Sequence, residues 1–383
     1  MRKICFITGT RAEYGLLSRL MQLVKDDDEL QIQIIATNMH LMPEYGETYQ
    51  EIEKDGFHID CKVYMNKQSD DANGIVESMA EEMTGMNKAL SELKPDLIVL
   101  LGDRYEILIA AEVALIHRIP IAHIHGGEVT EGAYDDAIRH SVTKMSSLHF
   151  TSCEEYRHRV IQMGELPERV FNVGSLGVEN IKSIPLMNKV ELENSLGFKF
   201  DGEIILVTYH PVTLCGDSAK DIHELVSALE DFSNLKVIFT MPNSDTGRDV
   251  IALTIKDYVS KHFSTAKAFV SLGLKRYLSV LQYVKAVVGN SSSGIIEVPS
   301  FGIPTLNIGD RQKGRLASKS VINCETSKEE IINGLKLCLS NDMQKAASIY
   351  ENPYAKPNTA KHIYEIIKTV DIAQLQTKSF YNI

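Results

Sequence analysis

Residues 285–315 read KAVVGNSSSGIIEVPSFGIPTLNIGDRQKGR. Ala286, Val287 and Val288 form a short apolar, β-branched run, which is the pattern of a buried strand. Gly289 and Asn290 break it, and Ser291, Ser292 and Ser293 open a helical run that ends near Pro299 or Phe301-Gly302. Thr305 to Ile308 is the next strand. Strand, tight turn, helix and strand make one unit of a parallel α/β sheet. The turn gathers three hydroxyls and backbone N–H groups at a helix start, where an anion is favoured. Glu297, further along the same run, cannot help a phosphate but can accept hydrogen bonds from a sugar diol. Together these point to a nucleotide. The plainer alternative is an ordinary N-cap serine cluster with a solvated glutamate.

The same unit recurs on both sides. Ile4–Ile7, Gln31–Thr37, Asp96–Leu101, Pro120–His125 and Leu148–Thr151 read as strands, with helices at 13–25, 74–93, 107–117 and 135–145 between them. Residues 45–72 resist assignment. The pattern restarts with strands at 170–174, 204–208 and 235–240, and amphipathic helices close the chain at 327–339 and 360–370. The expected fold is α/β, two Rossmann-like doubly wound domains facing a cleft. The expected domains are 1–174 and 175–365, with a C-terminal helix, 366–383, packing back on the first. In such sheets ligands lie beyond the carboxyl ends of the strands. Arg11, Asp103, Arg104, His125, Glu128, His210, Asn243, Ser291 and Arg311 all fall there.

The chain has 383 residues, too many for one ordinary core, with 44% hydrophobic and 24% charged residues. A formal net charge of -11 argues against a general nucleic-acid or membrane-surface binder, so an anionic ligand needs local donors. No signal-peptide pattern or transmembrane run is present, and the six cysteines are scattered without a CxxC pair. These features lead us to expect a cytoplasmic protein with unpaired thiols and neither a zinc site nor another cofactor.

GTRAEYG, LLGDRYE, HIHGGE, DDAIRH, TYHPVT, PNSDTG and the 285–315 stretch occur in that order. Together they resemble the hydrolysing UDP-N-acetylglucosamine 2-epimerases of bacterial sialic-acid synthesis, over nearly the whole chain. The resemblance implies the glycosyltransferase-B fold, with UDP in the cleft, bound mostly by the second domain. It implies conversion of UDP-N-acetylglucosamine and water to N-acetylmannosamine and UDP. Ser291 and Ser292 would bind the diphosphate and Glu297 the ribose, with Arg11 and His210 reaching the diphosphate. Asn243 and Arg311 would add nucleotide contacts, and Arg104 would lie near the sugar. Asp103 and Asp135 match acids linked to the chemistry. This chain has His125 where many members have glutamate, so either His125 or Glu128 takes that carboxylate's part. Related enzymes are dimers or tetramers, so a homo-oligomer is expected.

The chemistry asks for these residue types. The sugar C2–H has no adjacent carbonyl, so UDP must begin to leave C1 before a base can remove the proton. The C1–C2 double bond then takes up water at C1 and a proton at C2 on the opposite face. Anion donors for the leaving diphosphate and two proton-transfer groups are required, and nearby carboxylates stabilise the charged ring. Each residue also has a purely structural reading. Asp103, Asp135 and Asp136 begin helices where acids cap, Glu128 suits a turn, and His125 and His210 suit strand ends. Arg139-His140 would pair with or orient Asp135; His40 and Asp310 have no assigned role. Four further activities compete. One is the sister hydrolysis of UDP-2,4-diacetamido-2,4,6-trideoxyglucose, in the legionaminic-acid route. The others are a non-hydrolysing 2-epimerase, a glycosyltransferase and a non-catalytic UDP-sugar sensor.

Overall fold

The computed structural model describes residues 1–65, 71–131, 133–212, 217–242 and 247–383. Contacts divide it into two compact units. The N-terminal unit comprises residues 1–128, 135–179 and 356–383; the C-terminal unit comprises residues 129–134 and 180–355.

The N-terminal unit runs β1 (Arg2–Thr8), α1 (Arg11–Lys25), β2 (Leu30–Thr37), α2 (Tyr49–Lys54), β3 (Cys61–Val63), α3 (Ala72–Leu93), β4 (Leu97–Leu101), α4 (Tyr105–Ile116), β5 (Ile121–Ile124), α5 (Asp135–Met145), β6 (Leu148–Thr151), α6 (Glu154–Gln162) and β7 (Val170–Asn172). Helix α7 (Leu176–Ser183) spans the boundary. The C-terminal unit continues with α8 (Lys189–Leu196), β8 (Glu203–Thr208), α9 (Ser218–Leu229), β9 (Leu235–Thr240), α10 (Arg248–Lys261), β10 (Ala266–Phe269), α11 (Gly273–Leu281), β11 (Ala286–Gly289), α12 (Ser293–Ile296), β12 (Thr305–Ile308), β13 (Val321–Cys324), α13 (Lys328–Leu339) and α14 (Asn341–Ala347). Helices α15 (Thr359–Thr369) and α16 (Ile372–Leu375) return to the N-terminal unit.

Each unit holds one parallel sheet, in the orders β3-β2-β1-β4-β5-β6-β7 and β10-β9-β8-β11-β12-β13. Both reverse direction beside their first strand, between β1 and β4 and between β8 and β11, and a doubly wound sheet opens a crevice at that point. Strand β4, LIVLL, shows why the sheet is covered twice. Leu97, Val99 and Leu101 enter one apolar cluster with α1 and α15, while Ile98 and Leu100 enter another with α3 and α4. Full burial of each such side chain contributes about 1.5–3 kcal/mol.

Several details differ from the sequence reading. The unassigned 45–72 region supplies α2 and the edge strand β3, which pairs with β2 from Ile35↔Cys61 to Thr37↔Val63. Strands β10 and β13, absent from that reading, are the edges of the second sheet. The unit boundaries fall at 179/180 and 355/356, not 174 and 365, and residues 129–134 pack with the C-terminal unit, where the Glu131 N–H donates to the Lys313 carbonyl at 3.3 Å. The C-terminal segment is not one helix over 366–383: it is the end of α15, then α16, then a tail without regular secondary structure. Cys5, Cys153 and Cys338 are buried free thiols, Cys61 and Cys324 are half-buried, and Cys215 lies outside the described residues. Among the described residues no helix is long and apolar enough to cross a membrane.

Candidate active site

In the N-terminal unit the polar edge follows β1, β4 and β5. Gly102, φ +85°, turns the chain out of β4, and a Cβ there would meet no described atom within 4 Å. Its carbonyl accepts from His123 Nε2 at 2.8 Å, while His123 Nδ1 lies 3.1 Å from Thr143 Oγ1. Burial drops the His123 pKa to about 3, so the ring is neutral and acts as a fixed strut. Asp103 follows, and its carboxylate takes an ion pair from Arg139 Nη2. Arg139 is 1% exposed and also donates through Nη1 to the Glu128 carbonyl at 2.9 Å and to Asp136 Oδ1 at 3.1 Å. Arg139 and Asp135 lie one turn apart on α5. Such a buried cation is tolerated only with this degree of compensation.

His125, just past β5, has φ +68°, in the left-handed region that non-glycine residues seldom enter. Its N–H donates to the Phe150 carbonyl at 2.9 Å, which fixes that conformation. Its Nδ1 lies 3.5 Å from Glu128 Oε1, and Glu128 Oε1 accepts from Ser152 Oγ at 3.0 Å. Arg11 opens α1 and pairs with Glu51 at 2.6 Å. Arg104, the N-cap of α4, is 9% exposed and pairs through Nε with Glu106 at 2.8 Å. The structure thus ties Asp103, Glu128 and α5, which Asp135 begins, to one arginine, and pairs His125 with Glu128. Arg11 and Arg104 flank the sheet's reversal from β1 to β4.

In the C-terminal unit the edge is organised by Asn290. Its side chain accepts from the His210 N–H at 2.7 Å and donates to the His210 carbonyl at 2.8 Å. His210 follows β8 and Asn290 follows β11, so this clamp spans the second sheet's reversal. Gly289 lies so close to Thr208 that a Cβ would overlap the threonine carbonyl. The Asn290 carbonyl accepts from Arg311 Nη1 at 3.2 Å and from Gln312 Nε2 at 2.8 Å. Ser291 and Ser292 are half-exposed on the turn, and Glu297 caps the end of α12. The helical run expected after the serines, ending at Pro299 or Phe301-Gly302, is one α turn at Ser293–Ile296 and then a 3-10 turn at Val298–Phe301 that stops at Gly302. Hydroxyls and turn backbone, not a long helix dipole, are what this corner offers an anion. Ser293 Oγ is engaged by the Tyr277 hydroxyl. Asn243 lies outside the described residues.

A family model for UDP-N-acetylglucosamine 2-epimerase matches residues 22–368. The chain belongs to that family. The epimerase is 46% identical, over 85% of its length and 84% of the relative's, to the GDP/UDP-N,N'-diacetylbacillosamine 2-epimerase (hydrolyzing) of Campylobacter jejuni. It is 42% identical over 100% of its length and 98% of the other's to the polysialic acid biosynthesis protein P7 of Escherichia coli. The crystal structure of the UDP-GlcNAc 2-epimerase from Neisseria meningitidis bound to UDP-GlcNAc superposes with a TM-score of 0.79 at 18% identity, covering 96% of this chain and 100% of that one. The two-domain, glycosyltransferase-B-like class is therefore the fold of the epimerase.

Three supports of the epimerase's polar edges were not legible as such in the sequence. His123, Asn290 and Glu106 stand within two residues of assigned positions, but each reads as core or turn until strand register brings its partner near. Arg139 was legible only as a partner of Asp135; across the fold it reaches Asp103.

Proposed function

We propose that this chain hydrolyses UDP-N,N'-diacetylbacillosamine, that is UDP-2,4-diacetamido-2,4,6-trideoxyglucose, to UDP and the corresponding 2-epimeric free sugar. Support for the substrate comes from the 46% identity to the C. jejuni enzyme. Support for the chemistry comes from the pairing of half-buried Asp103 with buried Arg139 at the open Gly102 turn. A UDP-N-acetylglucosamine substrate, yielding N-acetylmannosamine, is the second reading, favoured by the full-length match to the polysialic acid protein.

In this scheme UDP leaves C1 with its bonding electrons while a base takes the C2 proton, giving a C1–C2 double bond. Water then adds its oxygen at C1 and a proton enters C2 from the opposite face. Asp103 is one proton-transfer group, oriented by Arg139. His125 is the second, with Glu128 orienting its ring as a carboxylate orients a catalytic imidazole. Asp135, at the start of α5, stabilises the positive charge on the ring. Arg11, His210, Ser291 and Ser292 take the departing diphosphate, with Arg104 beside the sugar; Glu297 takes the ribose diol; Asn243 and Arg311 complete the nucleotide contacts. The protein then acts on a soluble nucleotide sugar as a homo-oligomer.

The test offers purified protein both UDP-sugars in ¹⁸O-labelled D₂O. The expected result is UDP release with deuterium at C2 and ¹⁸O at C1 of the free sugar, and a higher kcat/KM for the diacetamido substrate. A higher kcat/KM for UDP-N-acetylglucosamine would select the second reading. A product still attached to UDP would sink both.

A further inference from the structure

Behind Arg104 the N-terminal unit buries three carboxyl groups around a single guanidinium. Glu13 in the first turn of α1, Glu82 on α3 and Glu106 in the first turn of α4 are all buried, the last two at 0% exposure. Glu106 Oε1 takes the Arg104 Nε at 2.8 Å, and the guanidinium also lies over the Tyr105 ring, 5.3 Å from its centre. The same Glu106 carboxyl is wedged under the turn that leads to Arg11: a Cβ on Gly9 would come within 2.6 Å of its Cγ and Oε1. Glu13 closes that turn from above, accepting from the Gly9 N–H at 2.8 Å and the Thr10 N–H at 3.3 Å. Oε2 of Glu82 and Oε2 of Glu106 have no hydrogen-bond partner among the described residues. Burial, and then the charge of Glu106, push the Glu13 carboxyl up to about 8 and Glu82 well above the carboxylate range, so neither readily substitutes as counter-ion.

We infer that Glu106 is a positioning residue, locking the Arg104 guanidinium and the Gly9–Arg11 turn into one arrangement so that both arginines meet the substrate already oriented. The inference rests on the proposed reading of Arg11 as a diphosphate ligand and of Arg104 as a substrate contact beside the sugar. A fixed fork loses less freedom on binding than a mobile one, so loss of the brace appears as weakened binding more than as slower chemistry.

The test uses the full chain, steady-state kinetics with UDP-N,N'-diacetylbacillosamine, and UDP calorimetry. Glu106→Gln is expected to raise KM and the UDP Kd about tenfold, the scale of a charge-assisted hydrogen bond, with kcat changed less than about threefold. Glu106→Asp, which keeps the charge, is expected to recover part of the loss. Should Glu106→Gln not fold, Gly9→Ala pushes the carboxyl from the other side at a backbone φ that alanine accepts, and is expected to raise KM likewise. A thermal midpoint that falls while KM stays at the wild-type value would overturn the inference, as would Asp behaving no better than Gln. Wild-type protein that turns over no UDP-sugar would overturn the proposed function and this inference with it. Turnover by wild type with unchanged KM in the variants overturns the inference alone.

Discussion

The two units carry the same sheet reversal but furnish it differently. The N-terminal edge is built from ionisable pairs, each with at least one buried member: Asp103 on Arg139, His125 against Glu128, Arg104 on Glu106. The C-terminal edge is built from neutral amides and hydroxyls, with Asn290 gripping the His210 backbone at both its N–H and its carbonyl. Burying a charged group costs several kcal/mol before its partner offsets the loss, so ion pairs are a poor way merely to hold a backbone in shape. A neutral amide clamp does that at lower cost. On the proposed function, Asp103, His125 and Glu128 of the first edge carry proton transfer and Asn290 shapes the nucleotide corner of the second, while Arg11 is the first edge's reach to the diphosphate; substitutions at Asp103 and at Asn290 should separate along that line.

The largest effect is expected at Asp103. Asp103→Asn keeps size and a hydrogen-bonding oxygen but leaves Arg139 without its main counter-charge. We expect kcat to fall about 10²–10⁴-fold, the range of one general acid–base group, with UDP affinity measured by calorimetry within a few-fold of wild type. Loss of UDP binding together with turnover would break the division between the edges.

Asn290 makes the opposite test. Asn290→Ala removes both side-chain bonds to the His210 backbone, and losing a hydrogen bond to a buried group costs about 1–3 kcal/mol. UDP affinity should fall about 10–100-fold, as roughly one such cost is about a tenfold change in binding, with kcat at saturating substrate less affected. A kcat collapse at unchanged UDP affinity would place chemistry on the second edge.

A narrower comparison lies within the first edge. If His125 transfers the proton and Glu128 orients it, His125→Gln should cost more turnover than Glu128→Gln, and the double variant should be no worse than His125→Gln alone. Residues acting as a unit are not additive. Equal and additive losses would make Glu128 a separate proton-transfer group.

Much of this was legible because strand ends announce themselves. The run LIVLL stopping at Gly102 marks both a buried strand and its carboxyl end, and the same logic placed Arg11, His125, His210 and Ser291 at strand ends. What stayed hidden depends on lateral order. Arg139 reaches Asp103 across 36 residues of chain, and Asn290 reaches His210 across 80, because the sheets set β4 beside β5 and β8 beside β11. No local pattern encodes that neighbourhood. The edge strands β3, β10 and β13 were hidden for another reason. At three or four residues, with half-buried patterns, they lack the continuous apolar run that central parallel strands show.

The smallest effect concerns stability. Glu13, pushed by burial up to about 8, holds its proton in the folded chain at pH values where the unfolded chain has lost it. A raised carboxyl pKa makes the folded state the better proton binder, so its contribution is complete below the ordinary carboxylate pKa and declines as pH rises through about 8. Glu13→Gln removes that titration yet suits the capping box, which accepts Gln at this position of α1. Wild type should therefore lose more of its urea midpoint between pH 5 and pH 8.5, values spanning the shift, than Glu13→Gln does. Glu82 is raised by the same crowding and should leave a reduced slope in the variant. Equal slopes in the two proteins would mean that Glu13 is ionised throughout, and that the first edge carries its buried negative charge without sharing protons behind it.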